Sequence, residues 1–403
     1  MFFRVAVAQE LRHDYDPLMT SRASLSVGPK IRIALLASLI IFLLAVISFA
    51  GKPADKDYIS YWSAAHLAAQ HVNPYGEASV LSIEKAQGYR SDKPLIMRDP
   101  PWMLVLIAPL RFIGPRLGLV VWMASIFFCL FLCFRWLHVS SEDRLLAYCF
   151  APLYACISAG QSSALLLLGV VMFFVFSGRR STLAGAGLTL MALKPHLFLI
   201  LFPIILIDCL RRKFSGTLVA FFSLIAACSV FAYLLDPQAW SQYAAMLKGA
   251  NLDGEFLQTP ACLLRSILAP KQLWFQFVPA AFALAWACWY YVRHQHTWRW
   301  LNHGALLLLV SIIVSPYGWL TDEIVLLPGV LALLTCVSQE KVVLGSYLAV
   351  NGIIFLLLFI GFQLSSGAYI WTSITWGGWY LYSRKAARVR STSTCLRSDA
   401  IFD

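Results

Sequence analysis

Residues 211–236 read Arg211-Arg212-Lys213, then FSGTLVAFFSLIAACSVFAYLL from Phe214 to Leu235, then Asp236. The apolar run of 22 residues contains no charged side chain. At 1.5 Å per residue it makes a helix about 33 Å long, enough to cross the hydrocarbon core of a bilayer. Its flanks orient it, because Lys and Arg gather on the cytoplasmic side of a span. The same alternation extends in both directions. Apolar segments fall at Pro101–Ile113, Arg116–Leu137, Arg144–Ser158, Gln161–Ser177, Ser181–Leu193 and Lys194–Leu210. After Asp236 come Lys271–Val292, Leu301–Val314, Glu323–Val337, Lys341–Gly361 and Ser366–Tyr382. Basic clusters at Arg179-Arg180, Arg293 to Arg299 and Arg384 to Arg390 mark further cytoplasmic turns.

Composition agrees. Hydrophobic residues make up 60% of the chain and charged ones 13%, about half the charged share of a soluble domain. The 32 Lys and Arg against 20 Asp and Glu leave a charge of +12. A nucleic-acid binder would display such charge as patches on a polar body; here it sits in short clusters between apolar runs. No nucleic-acid partner is expected. Eight of the ten cysteines, Cys129, Cys133, Cys149, Cys156, Cys209, Cys228, Cys288 and Cys336, lie in apolar stretches, where Cys behaves as a small hydrophobe. No paired Cys spacing or Cys/His zinc pattern occurs, so neither a disulfide framework nor a metal site is expected.

The run Ile31–Ala50, preceded by Arg22, Lys30 and Arg32, reads as an uncleaved anchor behind a cytoplasmic segment 1–30. A transmembrane domain then occupies 31–383, and 384–403 forms a basic cytoplasmic tail. Residues 51–100 make a first external loop and 236–270 a second, the latter with Trp240 and Tyr243. In the first loop Tyr58, Tyr61, Trp62, Ala65 and Ala68 recur at helical spacing, which predicts an amphipathic helix at the interface. Asn73-Pro74-Tyr75-Gly76 reads as a turn, and Ala78–Tyr89 as a second short helix. Both flanks are basic, so the number of spans should be even. The expectation is an all-α integral membrane bundle of about twelve spans, with one piece between Pro101 and Leu137 tilted, broken or re-entrant.

Charges that survive beside a membrane mark candidate chemistry, because each costs about 2.5–3.5 kcal/mol at a helix centre. Four patches stand out, all on the external side of this topology. Asp55-Lys56-Asp57-Tyr58 follows the first span; its carboxylates could take a proton from a hydroxyl or simply be solvated. Gly160-Gln161-Ser162-Ser163 offers an amide that both donates and accepts, or a plain interhelical turn. Lys194-Pro195-His196 places a cation at a helix break in apolar sequence, fit for a phosphate or for snorkelling. Ser315-Pro316-Tyr317-Gly318-Trp319 with Thr321-Asp322-Glu323 joins acids to aromatics, as a sugar platform or as interfacial anchors. No Asp or Glu occurs between Arg180 and Ile207, so Lys194, recessed between two short arms, expects an anionic partner from elsewhere, and a phosphate would serve, with His196 and Arg98 as added donors. No Walker A or G-x-G-x-x-G motif is present, and no cofactor is expected.

In their order these patches resemble glycosyltransferase family 87, multi-spanning enzymes of the GT-C class that include polyprenyl-phosphate-mannose-dependent mannosyltransferases. Asp57, Tyr61 and Asn73-Pro74-Tyr75 look like that family's first external loop, and Pro100-Pro101 with Ala108-Pro109-Leu110 like its entry to the next helix. Gly160-Gln161, Ala192-Leu193-Lys194-Pro195 and Ser315-Pro316 with a downstream Asp follow in family order. Two departures stand out. Thr321-Asp322 replaces the His-Asp of many members, and Ser162-Ser163 replaces a small residue followed by Asn. The resemblance implies a GT-C-type bundle in the inner (plasma) membrane with its active site facing outward. It implies transfer of a sugar, by family default mannose, from a polyprenyl-phosphate donor to a glycolipid or glycan acceptor with inversion. Asp57 would be the general base, and Lys194, His196, Gln161, Tyr61, Tyr75, Arg98 and Asp322 would line the substrate site. The competing reading is a transporter or flippase of lipid-linked sugars. It would call for an internal repeat and midplane helix breaks; the sequence shows a break at Lys194-Pro195 and no repeat.

Overall fold

The computed structural model describes residues 53–250, 257–337 and 340–399. The expected segment 1–30 and the anchor Ile31–Ala50 lie outside them. The described residues are helical with no β-strand, and one contiguous apolar core runs through them from Tyr58 to Tyr380.

Among the described residues, four helices are long and apolar enough to cross a membrane: Pro115–Trp136, Ser215–Leu235, Leu273–His294 and Lys341–Phe359. The twelve expected spans are therefore not all matched by helices of spanning length, and proline explains several differences. Pro152 starts a new helix, so the expected Arg144–Ser158 splits into Ser141–Tyr148 and Ala151–Ala159. Pro195 likewise opens a 3-10 turn, Pro195–Phe198, before the helix Leu201–Arg211. Proline lacks the N–H a helix interior needs but fits its first turn. The stretch after Pro100-Pro101 is broken as expected, into Pro101–Met103, Leu104–Ile107 and Ala108–Phe112, ahead of the Pro115–Trp136 span.

The helix Ser215–Leu235 is apolar yet scarcely buried, with Val219, Phe222, Val230 and Leu234 exposed. Such a face is stable against lipid and would be untenable in water. Its inner side packs on Ser181–Met191, which packs in turn on Ser163–Phe176. Small residues let these backbones close. A Cβ on Gly169 would stand 2.6 Å from the Gly187 carbonyl oxygen, the close approach that glycine permits between membrane helices.

The first loop departs from expectation. It does hold two helices, Tyr58–Ala69 and Glu77–Ala86, joined at the Asn73 turn, where Asn73 Oδ1 accepts the Tyr75 N–H at 2.9 Å. The first of these is not an amphipathic helix lying at an interface. Ile59, Ser60, Ser63, Ala64 and Leu67 are buried along with Tyr58, Tyr61, Trp62, Ala65 and Ala68. Helical spacing reports which residues share a face; it does not report that neighbours cover the other face too. Here Ala108–Phe112, Leu104–Ile107, Glu77–Ala86 and Pro115–Trp136 surround it. At the far end of Leu201–Arg211, Asp208 is fully buried and clasped by Arg212 Nε (2.7 Å), Tyr291 Oη (2.8 Å) and Trp300 Nε1 (2.8 Å).

Candidate active site

Asp57 stands at the N-cap of the buried helix Tyr58–Ala69, where an aspartate ordinarily accepts backbone N–H groups of the first turn. It makes no such cap bond. The Ser60 hydroxyl and N–H both donate instead to the Asp57 carbonyl, at 2.7 and 3.0 Å. The carboxylate is thereby left for a distant partner. Its Oδ2 accepts from Gln161 Nε2 at 2.5 Å.

Gln161 reaches that position because of Gly160. The helix Ala151–Ala159 ends at Gly160 in the left-handed conformation, φ 68°, which glycine adopts without steric cost. A side chain there would also collide, since its Cβ would lie 2.9 Å from Tyr58 Cβ. Trp122 Nε1 donates to the Gly160 carbonyl at 2.8 Å and pins the turn. Gln161 Oε1, the other end of the side-chain amide, then accepts from Tyr61 Oη at 3.0 Å and from Lys194 Nζ at 3.2 Å.

Lys194 completes the chain. Its ammonium contacts Asp322 Oδ1 at 2.8 Å, Gln161 Oε1 at 3.2 Å and Ser163 Oγ at 3.3 Å. Three acceptors match the three N–H donors of an ammonium. Asp322 is equally engaged: Oδ1 accepts from Lys194 and from Ser163 Oγ (2.6 Å), and Oδ2 from the Trp319 N–H (3.1 Å). The anionic partner that the sequence around Lys194 lacks is thus a protein carboxylate from another loop. The Lys194-Pro195-His196 turn is held from behind, with Ser311 Oγ donating to the Leu197 carbonyl at 2.7 Å and Ser315 Oγ lying 3.2 Å from that of His196.

Burial pushes the Asp57 carboxyl above the ordinary aspartate range. The Gln161 bond and the Lys194 charge oppose that shift, Asp322 reinforces it, and Lys56 opposes it in turn. A carboxylate whose pKa is raised binds a proton more firmly, which suits a general base. Among the described residues, no group of three or more His, Cys, Asp or Glu side chains is placed to hold a metal ion.

Of the residues singled out in the sequence, Asp57, Tyr61, Gln161, Lys194 and Asp322 form one connected network. His196 lies beside it with its ring edge-on to Tyr317, centroids 5.8 Å apart. Tyr75 is buried one step away, its ring 5.4 Å from Tyr243 and its hydroxyl donating to the Asp99 carbonyl at 3.3 Å. Arg98 is exposed. Ser163, which the sequence offered only as part of the Gly160–Ser163 patch, bridges Lys194 and Asp322, and sequence reasoning passed over Asp99, buried with its Oδ1 lacking a hydrogen-bond partner among the described residues. The signal for Asp99 was available: an acid directly before Pro100-Pro101, where the chain turns apolar.

A helical body with lipid-suited faces, enclosing a network of carboxylate, amide and ammonium groups, is the build of a membrane enzyme that works on polar substrates. The model of glycosyltransferase family 87 matches residues 99–316, more than half of the chain, and the chain belongs to that family. It is a glycosyltransferase. Gln161, Lys194 and His196 fall within the matched residues, while Asp57 and Asp322 lie outside them and join the site through the fold. No curated protein and no solved structure matches the chain.

Proposed function

We propose that this glycosyltransferase takes its sugar, mannose by family default, from a polyprenyl phosphate and passes it to a hydroxyl of a glycolipid or glycan at the outer face of the inner membrane. The observation that carries this reading is the chain Asp57–Gln161–Lys194–Asp322, which joins one residue from each of the four patches in a single hydrogen-bonded network. Asp57 acts as general base. It takes the proton of the acceptor hydroxyl as that oxygen bonds to the anomeric carbon, and the bond from that carbon to the phosphate oxygen breaks on the opposite side. The polyprenyl phosphate leaves with the bonding electrons, and the configuration inverts. Gln161 orients the carboxylate, and its bond to Lys194 ties that orientation to the rest of the site. Lys194 and His196 are the cationic and hydrogen-bonding groups nearest a departing phosphate; contact with it would draw Lys194 partly away from Asp322.

The test offers the reconstituted enzyme two donors, a polyprenyl-phosphate mannose and a nucleotide mannose. Transfer from the lipid donor alone is expected, together with a loss of about 10² to 10⁴-fold in kcat for Asp57→Asn, the usual worth of a general base. Efficient use of the nucleotide sugar without added polyprenyl phosphate, or wild-type turnover in Asp57→Asn, would overturn the reading.

A further inference from the structure

Asp99 is 5% exposed, and no hydrogen bond reaches its Oδ1 from the described residues. Buried carboxylate oxygens are almost always paired, because leaving one without a donor forfeits its hydration for nothing. Its surroundings narrow the kind of donor that fits. Tyr61, Tyr75 and Tyr243 all sense its charge, and it senses Lys194 and Asp322. Its own carbonyl accepts the Tyr75 hydroxyl at 3.3 Å, beside aromatic side chains in which Tyr75 faces Tyr243 at 5.4 Å and Trp102 faces Trp240 at 5.6 Å. Lys194 does not satisfy it, since that ammonium is shared among Asp322, Gln161 and Ser163. Burial pushes the Asp99 carboxyl up to about 6, with Lys194 restraining the rise and Asp322 adding to it. At neutral pH it is therefore mostly an anion in want of donors.

We propose that Asp99 is a specificity-determining residue of this site, a carboxylate that accepts a hydrogen bond from a hydroxyl of a substrate sugar. The chemistry selects that ligand. A phosphate would be repelled, whereas a neutral polyol supplies the missing donor and aromatic faces nearby suit the C–H surface of a pyranose. The inference rests on the function proposed above and adds to it a second carboxylate, one that recognises substrate and takes no part in proton transfer.

The test uses the full chain in nanodiscs, with polyprenyl-phosphate mannose as donor and octyl mannoside as acceptor, each offered also as its monodeoxy analogues. In Asp99→Asn, KM for one of the two sugars should rise about 10- to 100-fold, the worth of a hydrogen bond to a charged group, while kcat changes only a few-fold. The deoxy analogue that costs the wild type this factor should cost Asp99→Asn nothing further. If the donor KM moves, the hydroxyl belongs to the donor sugar; if the acceptor KM moves, it belongs to the acceptor. A purely structural Asp99 would leave every deoxy penalty the same in both proteins, and that result, or two unchanged KM values, would overturn the inference. Should Asp99→Asn fail to fold, Asp99→Ser is taken through the same deoxy comparison. Absence of transfer by the wild type from any lipid-linked sugar would instead overturn the proposed function, and this inference with it.

Discussion

Lys194 and Asp322, 128 residues apart in sequence, form an ion pair at 2.8 Å with side-chain exposures of 12% and 2%. Neither charge would be stable at that depth alone. A buried ammonium or carboxylate loses several kcal/mol of hydration, which only a close counter-charge and filled hydrogen-bonding positions offset. The pair also joins the Ser315–Glu323 turn to the Lys194 turn, and through Gln161 to Asp57.

Removing one partner should therefore cost more than removing both. Lys194→Ala leaves Asp322 uncompensated and is expected to destabilise the protein by about 3–5 kcal/mol, read as a lowered Tm in detergent. The double variant Lys194→Met with Asp322→Leu should recover much of that stability while remaining inactive. A single variant as stable as the wild type would show the pair to be open to solvent.

The pH dependence of kcat follows from Asp57. As the proposed general base it must be ionised, so activity is expected to fall as pH drops through its pKa, which burial holds above the ordinary aspartate range. Gln161→Leu removes a hydrogen bond that favours the ionised form. The acid limb of the profile should then move to higher pH, with kcat reduced about 10-fold or more from lost orientation. An acid limb at unchanged pH in Gln161→Leu would detach Gln161 from the base.

Gly160→Ala tests the turn that presents Gln161. The left-handed backbone costs a non-glycine residue about 1–2 kcal/mol, before the new Cβ meets Tyr58 Cβ at 2.9 Å. Expected outcomes are a lower Tm and a loss of activity greater than the stability change explains. A fully active, equally stable Gly160→Ala would mean that the turn relaxes without moving Gln161.

Glu84, buried in the helix Glu77–Ala86, accepts the Leu95 N–H, yet burial raises its pKa to about 7. Its folded-state value lies above the unfolded one, so its contribution to stability is full below the unfolded glutamate range and is lost as pH rises through about 7. Glu84→Gln, which stays neutral, should melt higher than the wild type at pH 8 and converge with it below about pH 4.5. Parallel melting curves at all pH values would contradict this.

Much of the architecture was legible because it is local. A span is recognisable from 22 uncharged residues in a row, and the breaks expected after Pro101 and at Pro195 follow from proline's missing N–H, although the same reasoning was not applied to Pro152, which splits the expected Arg144–Ser158 segment. The order of the four polar patches also survives in the structure, since each is a charge or amide placed where the sequence leaves the apolar phase. The tertiary structure alone decided how those patches are paired. Lys194 could have met a substrate phosphate or a protein carboxylate, and only the approach of the Trp319–Asp322 turn chose the carboxylate. Likewise Tyr58–Ala69 carries the spacing of a helix with one wet face, but helices arriving from both sides bury it completely enough to free Asp57 from its cap and turn it toward Gln161. Periodicity is a property of neighbours along the chain. Desolvation and counter-charge are properties of neighbours in space, and they determine which carboxylate is paired, as Asp322 is, and which keeps an oxygen without a donor among the described residues, as Asp99 does at Oδ1.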